Sequence, residues 1–461
     1  MGGIREVSDK IPRWVAEIYD ISMRYGGRLP GSSGDREVEE YLKEKLVELG
    51  VPDVRKAPYT LKKWIPLRWE LEVEGLGSLT SFYMARTRPG TVEAKLSYIG
   101  DAHSTTLSGD VSDRIVVGDL EFPSLDLGLL TPMALHVSDP DGSLKAILER
   151  GAPEKPSVYM TTLTPSECGC PVAPEAYEAS IEAGAVGFIG ILTNYPDMGC
   201  GSFTYYAPSD GVFRPLTGLW VDSSTGVKLK EAAKREARAR VSLEAEEGET
   251  TGYNIYGILP GKSDDIIIVH SHHDAPFGGA VQDASGVAMV IALAEYYASL
   301  PESRRGKTMV FLFTEGHFDA GSGQEAFMNI HEPNMKDKIV ADIAIEHIGK
   351  EYAVKDGKAY YTGYPEPRAI FVSEDKEYLV NAFKKALLEK PVKRLLLLPT
   401  KTILGVPSDA NRFWKRGIPV ASLISGPIYM FSACDTPDKL ADDYADILLM
   451  FVKAIDGLSS A

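Results

Sequence analysis

The second half of the chain alternates apolar runs with segments whose apolar residues recur at helical spacing. The runs are rich in Ile, Val, Leu and Phe, as strands buried on both faces are. They lie at 266–269, 309–313, 339–345 and 418–424. The helical segments lie at 286–300, 377–388 and 438–457. Strands that alternate with helices predict an α/β fold in which helices flank a central mixed, mostly parallel sheet.

The first half opens with two helical stretches around a loop. In the second stretch, 35–49, apolar residues recur at helical spacing, and Gly50 follows as a C-cap. The loop, 25–32, contains three glycines and a proline and therefore predicts a defined turn. Residues 53–100 alternate apolar and polar positions in short runs, which predicts several strands.

The middle of the chain predicts a small α/β module of its own. Strands are indicated at 115–117 and 185–192, and an amphipathic helix at 176–183. The acidic stretch 244–251 then marks a boundary, after which strands and helices alternate. The predicted organisation is a main domain built from 1–105 and 248–461, with the module inserted at 106–247.

Composition and charge narrow the class of protein. The chain has 461 residues, more than a typical single domain, and 44% of them are hydrophobic and 25% charged, as in ordinary globular proteins. The formal net charge of −16 argues against a nucleic-acid partner, which requires concentrated positive charge. No stretch is long and apolar enough to cross a membrane, and no apolar run follows a basic N-terminus. We therefore expect a cytoplasmic protein without a membrane partner.

The four cysteines predict a structural role. Cys168, Cys170 and Cys200 lie close together in sequence, whereas Cys434 stands apart. A single disulfide within the first three is one alternative, and their spacing is weak as a zinc signature.

Histidines are concentrated where the predicted strands end. Six of the eight lie between 270 and 347, where even spacing would place roughly one. Three strand ends carry imidazoles together with carboxylates. These residues are His270, His272, His273 and Asp274 at the first end, Glu315 and His317 at the second, and Glu346 and His347 at the third. His103, His136 and His331 are predicted to be structural.

The strand ends predict a metal site. In an open α/β sheet, ligands bind outside the carboxyl ends of the strands, so these side chains are expected to meet at one edge. Imidazole nitrogens and carboxylate oxygens are the ligands of a zinc-type ion, which keeps one position for water when it is catalytic.

Several motifs occur in an order that resembles a known family. They are His272-His273-Asp274, Ala284-Ser285-Gly286, Phe313-Thr314-Glu315, Glu346-His347 and Ser408-Asp409, together with Tyr-Gly-Gly-Arg-Leu-Pro-Gly at 25–31. The set resembles the zinc aminopeptidases, the family of the bacterial secreted aminopeptidases, glutamate carboxypeptidase II, glutaminyl cyclase and the transferrin receptor. The inserted module, with Ala-Gly-Ala-Val-Gly at 183–187, is similar to the protease-associated domain that many members carry. The resemblance implies a zinc exopeptidase-like fold.

The resemblance also implies roles for single residues. His272 would be a metal ligand, and Asp274 the carboxylate that supports it. Glu315 would be the general base that takes a proton from a metal-activated water. Glu346, in place of the family's Asp, would be a further metal ligand.

Three positions depart from the family's pattern. The Asp that bridges the family's two metals falls on Gln282, a ligand Glu falls on Gly316, and the final ligand His falls on Phe431. Because Gly316 and Phe431 belong to the second metal, one zinc per chain is expected rather than two, with cobalt or manganese as alternatives.

New candidate ligands stand beside the lost ones. Asp283 follows Gln282, His317 follows Gly316, and His347 follows Glu346. The predicted site is therefore a rearranged one, built from His272, Asp283, His317 and Glu346, with His347 or His273 assisting.

The predicted function is that of an aminopeptidase-type metal-dependent hydrolase that cleaves a peptide or aminoacyl amide bond. The insertion is expected to cap the site or to mediate formation of a homodimer. Two alternatives stay open: a catalytically inactive member that acts as a binding module, and a single-metal amidohydrolase that acts on a small molecule.

Overall fold

The structure is a computed structural model that describes residues 2–122, 127–150, 172–200, 207–402 and 405–459. The helices are α1 Gly2–Ser8, α2 Ile11–Tyr25, α3 Ser33–Glu48, α4 Leu127–Leu130, α5 Ser143–Arg150, α6 Glu175–Glu182, α7 Ser223–Lys234, α8 Ser285–Ala298, α9 Ser322–Met335, α10 Glu377–Glu389, α11 Ala410–Lys415 and α12 Tyr444–Ser459. The strands are β1 Gly27–Arg28, β2 Asp53–Val73, β3 Gly77–Leu79, β4 Phe82–Tyr83, β5 Gly90–Asp101, β6 Ile115–Leu120, β7 His136–Ser138, β8 Gly187–Leu192, β9 Thr217–Asp222, β10 Arg238–Leu259, β11 Ser263–His272, β12 Ala275–Pro276, β13 Lys307–Thr314, β14 Ile339–Ile345, β15 Lys350–Lys355, β16 Lys358–Pro365, β17 Arg368–Val372, β18 Leu395–Pro399 and β19 Val420–Ser425.

A mixed sheet forms the centre of the main domain. Strands β13, β11, β14 and β19 lie side by side and run parallel, with β10 antiparallel beyond β13 and β17 antiparallel beyond β19. Helix α8 packs against β11, and α1, α2 and α12 pack against α8. Because it is covered on all sides, α8 is buried over nearly its whole length. The predicted α/β fold, with helices flanking a central mixed, mostly parallel sheet, is confirmed.

A smaller sheet extends from the same strand system. Strands β5, β6, β8 and β9 run parallel, and β4 pairs antiparallel with β9. This sheet takes up residues 82–83 and 90–101, so the chain enters it before residue 106. The domain boundaries drawn from the sequence stay a prediction.

A long two-stranded ribbon joins the two sheets. Strands β2 and β10 pair antiparallel along their lengths, and β10 also pairs with β5 near its start and with β13 near its end. The strands predicted within 53–100 are present as β2, β3, β4 and β5, and the first of them is a single strand of 21 residues. Its interrupted apolar pattern arises because much of the ribbon is only half-buried.

Two further details differ from the sequence-based expectation. The closing helix begins at Tyr444 rather than 438, because Pro437–Lys439 forms a 3-10 turn and Leu440 is extended. Cys434 does not stand apart but forms a disulfide with Cys200, with 5.5 Å between the Cα atoms. Cys168 and Cys170 lie outside the described residues. In the part of the chain that the structure describes, no helix is long and apolar enough to span a bilayer.

Candidate metal centre

Three of the predicted ligands come together at the edge of the main sheet. His272 ends β11, His317 follows β13, and Glu346 follows β14. One ligand atom from each lies within 4.8 Å of the others. The three strands are parallel neighbours, so their carboxyl ends meet at this edge, as the sequence suggested. We call His272, His317 and Glu346 the three-ligand group.

The group is largely shielded from solvent. His272 is fully buried, Glu346 is 1% exposed, and the side chain of His317 is 25% exposed. The two imidazole rings stack with their centroids 3.9 Å apart and their planes at 11°. His317 is therefore the member of the group with the greatest exposure to solvent.

Both imidazoles present the same nitrogen to the group. Nδ1 of His272 lies 2.9 Å from the main-chain oxygen of Asp274, and Nδ1 of His317 lies 2.6 Å from Oδ1 of Asp409. Both partners only accept, so each Nδ1 carries the donated hydrogen. In the neutral ring Nε2 then carries the lone pair, which is the arrangement of metal-binding histidines whose other nitrogen is held by an oxygen.

Asp409 connects two members of the group. Its Oδ1 accepts from His317, its Oδ2 accepts from Nε2 of Gln324, and its main-chain N–H donates to Oε1 of Glu346 at 3.0 Å. Burial lowers the pKa of His317, but the charge of Asp409 and its hydrogen bond outweigh that effect and raise the pKa to about 9. Sequence analysis identified Asp409 only as part of the Ser408-Asp409 motif, because nothing in the sequence indicates a contact with His317, 92 positions away.

Asp274 holds the loop that carries His317. Its carboxylate oxygens accept from the main-chain N–H groups of His317 at 3.2 Å and Phe318 at 3.0 Å, and Oδ1 lies 3.7 Å from Nδ1 of His272. Burial works against ionisation, but the contact with His272 and its charge lower the pKa of Asp274 overall. The carboxylate thus supports both imidazoles of the group.

Asp283 and Gln282 have different surroundings. The carboxylate of Asp283 accepts from Oγ of Ser271 at 2.6 Å and from the main-chain N–H groups of Gly286 and His347. Asp283 is outside the three-ligand group. Gln282 places Nε2 3.4 Å from Nε2 of His272, and its Oε1 is buried without a hydrogen-bond partner. Of these two residues, it is Gln282 that faces the group.

His347 and His273 border the group on different sides. Nδ1 of His347 donates to the main-chain oxygen of Ser425 at 2.9 Å, and its ring centroid is 6.4 Å from that of His272. Burial, together with the charges of His272 and His317, holds the pKa of His347 well below its usual value. His273 instead faces helix α3, with Nδ1 2.9 Å from Oδ1 of Asp35.

Glu315 also turns toward helix α3. Its carboxylate accepts from the main-chain N–H groups of Gly31, at 2.9 Å, and Tyr253. Burial and the neighbouring carboxylate of Asp35 raise the pKa of Glu315 well above its usual value. Glu315 is outside the three-ligand group, and its role as general base stays a prediction.

The positions that depart from the family's pattern are closed to a second set of ligands. Gly316 has φ +81°, and a Cβ there would lie 2.2 Å from Oγ of Ser322. Phe431 packs edge-on against Phe318, with their ring centroids 5.8 Å apart. A left-handed turn thus lies at Gly316, where the family's pattern has an acid. An aromatic contact lies at Phe431, where that pattern has an imidazole.

A buried arginine orders the loop that leads from His272 to Gln282. The guanidinium of Arg28 donates to the main-chain oxygens of His273, Gly278, Gly279 and Gln282. Burial lowers the pKa of Arg28 to about 10, while nearby carboxylates oppose that shift. The sequence showed Arg28 only within a turn motif, and its role depends on contacts about 250 residues along the chain.

The smaller sheet contacts the loop that carries His317. Arg86, which follows β4, forms an ion pair with Asp319 at 2.7 Å. The main-chain N–H of Ala320 donates to the oxygen of Ser209, which precedes β9, at 2.9 Å. Asp319 and Ala320 belong to the loop that carries His317, so connecting segments of the smaller sheet are in direct contact with that loop.

Comparisons with known proteins agree with this architecture. Residues 254–452 match the sequence model of Peptidase family M28. No match was found among curated proteins. The solved structure of BSAP, a zinc aminopeptidase from Bacillus subtilis, is similar with a TM-score of 0.68 at 14% identity, covering 98% of this chain and 94% of that one. A Peptidase M28 precursor from Shewanella amazonensis SB2B gives a TM-score of 0.67 at 19% identity, covering 99% of this chain and 96% of that one. At these identities the likeness shows a shared fold, which is that of the zinc exopeptidases.

Proposed function

We propose that this chain, whose residues 254–452 match the sequence model of Peptidase family M28, is a metallopeptidase-like hydrolase that cleaves a peptide or aminoacyl amide bond with one metal ion at the three-ligand group. The observation that carries the proposal is the convergence of His272, His317 and Glu346 from three parallel strand ends. Two imidazoles and a carboxylate are the protein ligands of catalytic zinc sites that leave one position for water.

The donor atoms support a zinc-type ion. Nε2 of His272 offers a lone pair, Nε2 of His317 offers one when a metal ion displaces its proton, and Oε2 of Glu346 is buried without a hydrogen-bond partner. A buried carboxylate oxygen without a partner is costly, and a bound cation would remove that cost. A zinc-type ion held there would lower the pKa of its water to about 7 and polarise the scissile carbonyl.

A single metal accounts for the rest of the site better than a pair. Gly316 and Phe431 offer no ligand atoms, and Gln282 presents an amide where the family has a bridging carboxylate. The surroundings of Gly316 leave no space for a side chain. One zinc at the three-ligand group is therefore proposed, and manganese or cobalt would fit the same donors.

The chain's own residues would position the reaction. Asp409 and the main-chain oxygen of Asp274 hold the imidazoles with Nε2 toward the group. Glu315 is proposed as the proton acceptor, because it is the carboxylate at the strand end beside the group and two main-chain N–H groups fix its orientation.

The smaller sheet is proposed to be a protease-associated domain that caps the centre. Its contacts support this: the Arg86–Asp319 ion pair and the Ala320–Ser209 hydrogen bond hold it against the loop of His317. Such a cap would limit which substrates reach the group.

A catalytically inactive binding module is the second candidate function. The orientation of Glu315 favours it, because that carboxylate points to Gly31 and Tyr253 and its pKa is raised, which lowers the fraction ready to accept a proton. A single-metal amidohydrolase for small molecules is the third, and the loss of the second metal's ligands is consistent with it.

Hydrolysis and zinc content, measured on the same samples, test the proposal. The full chain, loaded with ZnCl₂, is assayed against a panel of aminoacyl nitroanilides and short peptides, with Glu315→Gln and His272→Ala alongside. We expect Glu315→Gln to bind as much zinc as the wild type and to lose turnover by about 100-fold or more, and His272→Ala to lose turnover together with one zinc per chain relative to the wild type. Zinc bound at the three-ligand group without hydrolysis of any substrate would favour the binding module.

A further inference from the structure

A second buried group of ligand-type side chains lies between helix α3 and the end of strand β11. Asp35 and Glu39 are one turn apart on α3, and His273 directly follows β11. Oδ1 of Asp35, Oε2 of Glu39 and Nδ1 of His273 all lie within 4.8 Å of one another. All three residues are fully buried. We call them the helix cluster.

The helix cluster is distinct from the three-ligand group. His272 and His273 are consecutive at the end of a strand, where side chains alternate between its two sides. His272 faces His317, with the rings stacked, whereas His273 faces Asp35. The two sets share no ligand.

The hydrogen bonding of His273 leaves Nδ1 as the nitrogen that faces the two carboxylates. Nε2 of His273 lies 3.3 Å from the main-chain oxygen of Tyr253, which only accepts, so this nitrogen carries a hydrogen. Nδ1 lies 2.9 Å from Oδ1 of Asp35. A proton or a metal cation between Nδ1 and the carboxylate satisfies both atoms, and a metal cation would also bind Glu39.

Two ligand atoms of the helix cluster lack a hydrogen-bond partner. Oδ1 of Asp35 and Nδ1 of His273 are buried, and neither makes a hydrogen bond in the structure. By contrast, Oδ2 of Asp35 accepts from the N–H of Gly31 at 3.0 Å. The two atoms without partners lie within 4.8 Å of Oε2 of Glu39, the third ligand atom of the cluster.

One cation already approaches from the solvent side. Nζ of Lys56 lies 2.9 Å from Oε2 of Glu39 and 2.6 Å from Oε1 of Glu40, and the lysine side chain is 20% exposed. Arg36 pairs with the other carboxylate oxygen of Glu39. An ion entering the helix cluster would therefore compete with Lys56 for Glu39.

We propose that Asp35, Glu39 and His273 form a second divalent-cation site that ties helix α3 to the end of strand β11. One imidazole and two carboxylates suit zinc or manganese. The proposal does not depend on the hydrolytic function, because none of these residues belongs to the three-ligand group.

Zinc binding to the full chain, measured by titration calorimetry and by elemental analysis after dialysis, tests the second site. We expect two zinc ions in the wild type, one in His272→Ala, and none in His272→Ala/Glu39→Gln. Glu40→Gln is the matched control, because Glu40 also pairs with Lys56 on the same helix but lies outside the cluster. In the His272→Ala background it should leave the remaining zinc in place.

Lys56→Met provides the sharper test. Placed in the His272→Ala background, it removes the competing ammonium and should tighten the remaining site about two- to fivefold, the worth of one partly exposed ion pair. Circular dichroism and thermal unfolding check that each variant is folded. The proposal is overturned if His272→Ala binds no zinc, if zinc survives Glu39→Gln in a folded protein, or if Lys56→Met leaves the affinity unchanged. A wild-type protein that binds both zinc ions but hydrolyses none of the substrates would count against the proposed function and would leave the second site supported.

Discussion

Asp409 gives the most direct test of how the three-ligand group is held. The change is Asp409→Asn, which keeps the size of the side chain but leaves one acceptor oxygen where there were two. Two donors face that position: Nδ1 of His317 at 2.6 Å and Nε2 of Gln324. The asparagine oxygen can satisfy only one of them, and its own N–H₂ must then face the other donor.

The expected effect is on metal affinity. The bond to His317 is short, buried and charge-assisted, so its loss should cost about 1.5–3 kcal/mol. Removing such a support of a metal-binding histidine typically weakens metal binding about 10- to 100-fold, which corresponds to about 1.4–2.8 kcal/mol. The two estimates agree, and we expect the zinc dissociation constant of Asp409→Asn to rise by that factor.

The assay is competition for zinc against a chelating dye at fixed pH, with a matched control. Asp342 is also a buried carboxylate paired with a histidine, Nε2 of His270 at 3.2 Å, but it lies outside the three-ligand group. Asp342→Asn should therefore reduce stability without changing zinc affinity. In Asp409→Asn/Gln324→Glu the new carboxylate at position 324 accepts from the N–H₂ of the asparagine. The side-chain oxygen of the asparagine can then accept from His317, so the zinc affinity should be higher than in the single variant.

Two results would refute this reasoning. The first is that Asp409→Asn binds zinc as tightly as the wild type, which would mean that His317 needs no partner to bind metal. Alternatively, Asp342→Asn could weaken zinc binding to the same extent, and the effect would then be a general loss of packing.

Three further predictions concern an ion pair of the smaller sheet, a position that departs from the family's pattern, and the disulfide. Arg86→Met leaves the buried carboxylate of Asp319 without its partner and should cost about 3–5 kcal/mol near pH 8. Burial, despite Arg86, raises the pKa of Asp319 to about 6, so this carboxyl becomes protonated as pH falls through 6. The penalty should therefore shrink at pH 5, and an equal loss of melting temperature at both pH values would contradict it. Gly316→Glu restores an acid that the family's pattern has, but its φ of +81° and the nearby Ser322 should make it destabilising by about 1–3 kcal/mol, and elemental analysis should find no additional zinc. Cys434→Ser removes the disulfide that joins the segment between β8 and β9 to the segment after β19, and it should lower the free energy of unfolding by about 2–5 kcal/mol. An unchanged midpoint in denaturant titrations would argue against the disulfide.

The sequence by itself determined the sheet and the edge at which the chemistry lies. The apolar runs that became β11, β13 and β14 are long, uninterrupted signals, because strands buried on both faces have to be apolar throughout. Parallel neighbours end at the same edge, so histidines and acids that follow such runs come close together whatever the connecting loops do. That geometry brought His272, His317 and Glu346 into one group.

Only the tertiary structure decided where each side chain points. Beyond a strand end, orientation depends on single loop residues, such as His347 with φ 59° and Phe431 with φ 62°, which no periodicity encodes. It depends equally on distant partners, since Asp409 reaches His317 across 92 positions and Arg28 reaches Gln282 across 254. Local pattern records how a residue sits in its own element, whereas the contacts that aim a buried polar side chain are made by whichever polar atoms the completed fold brings beside it.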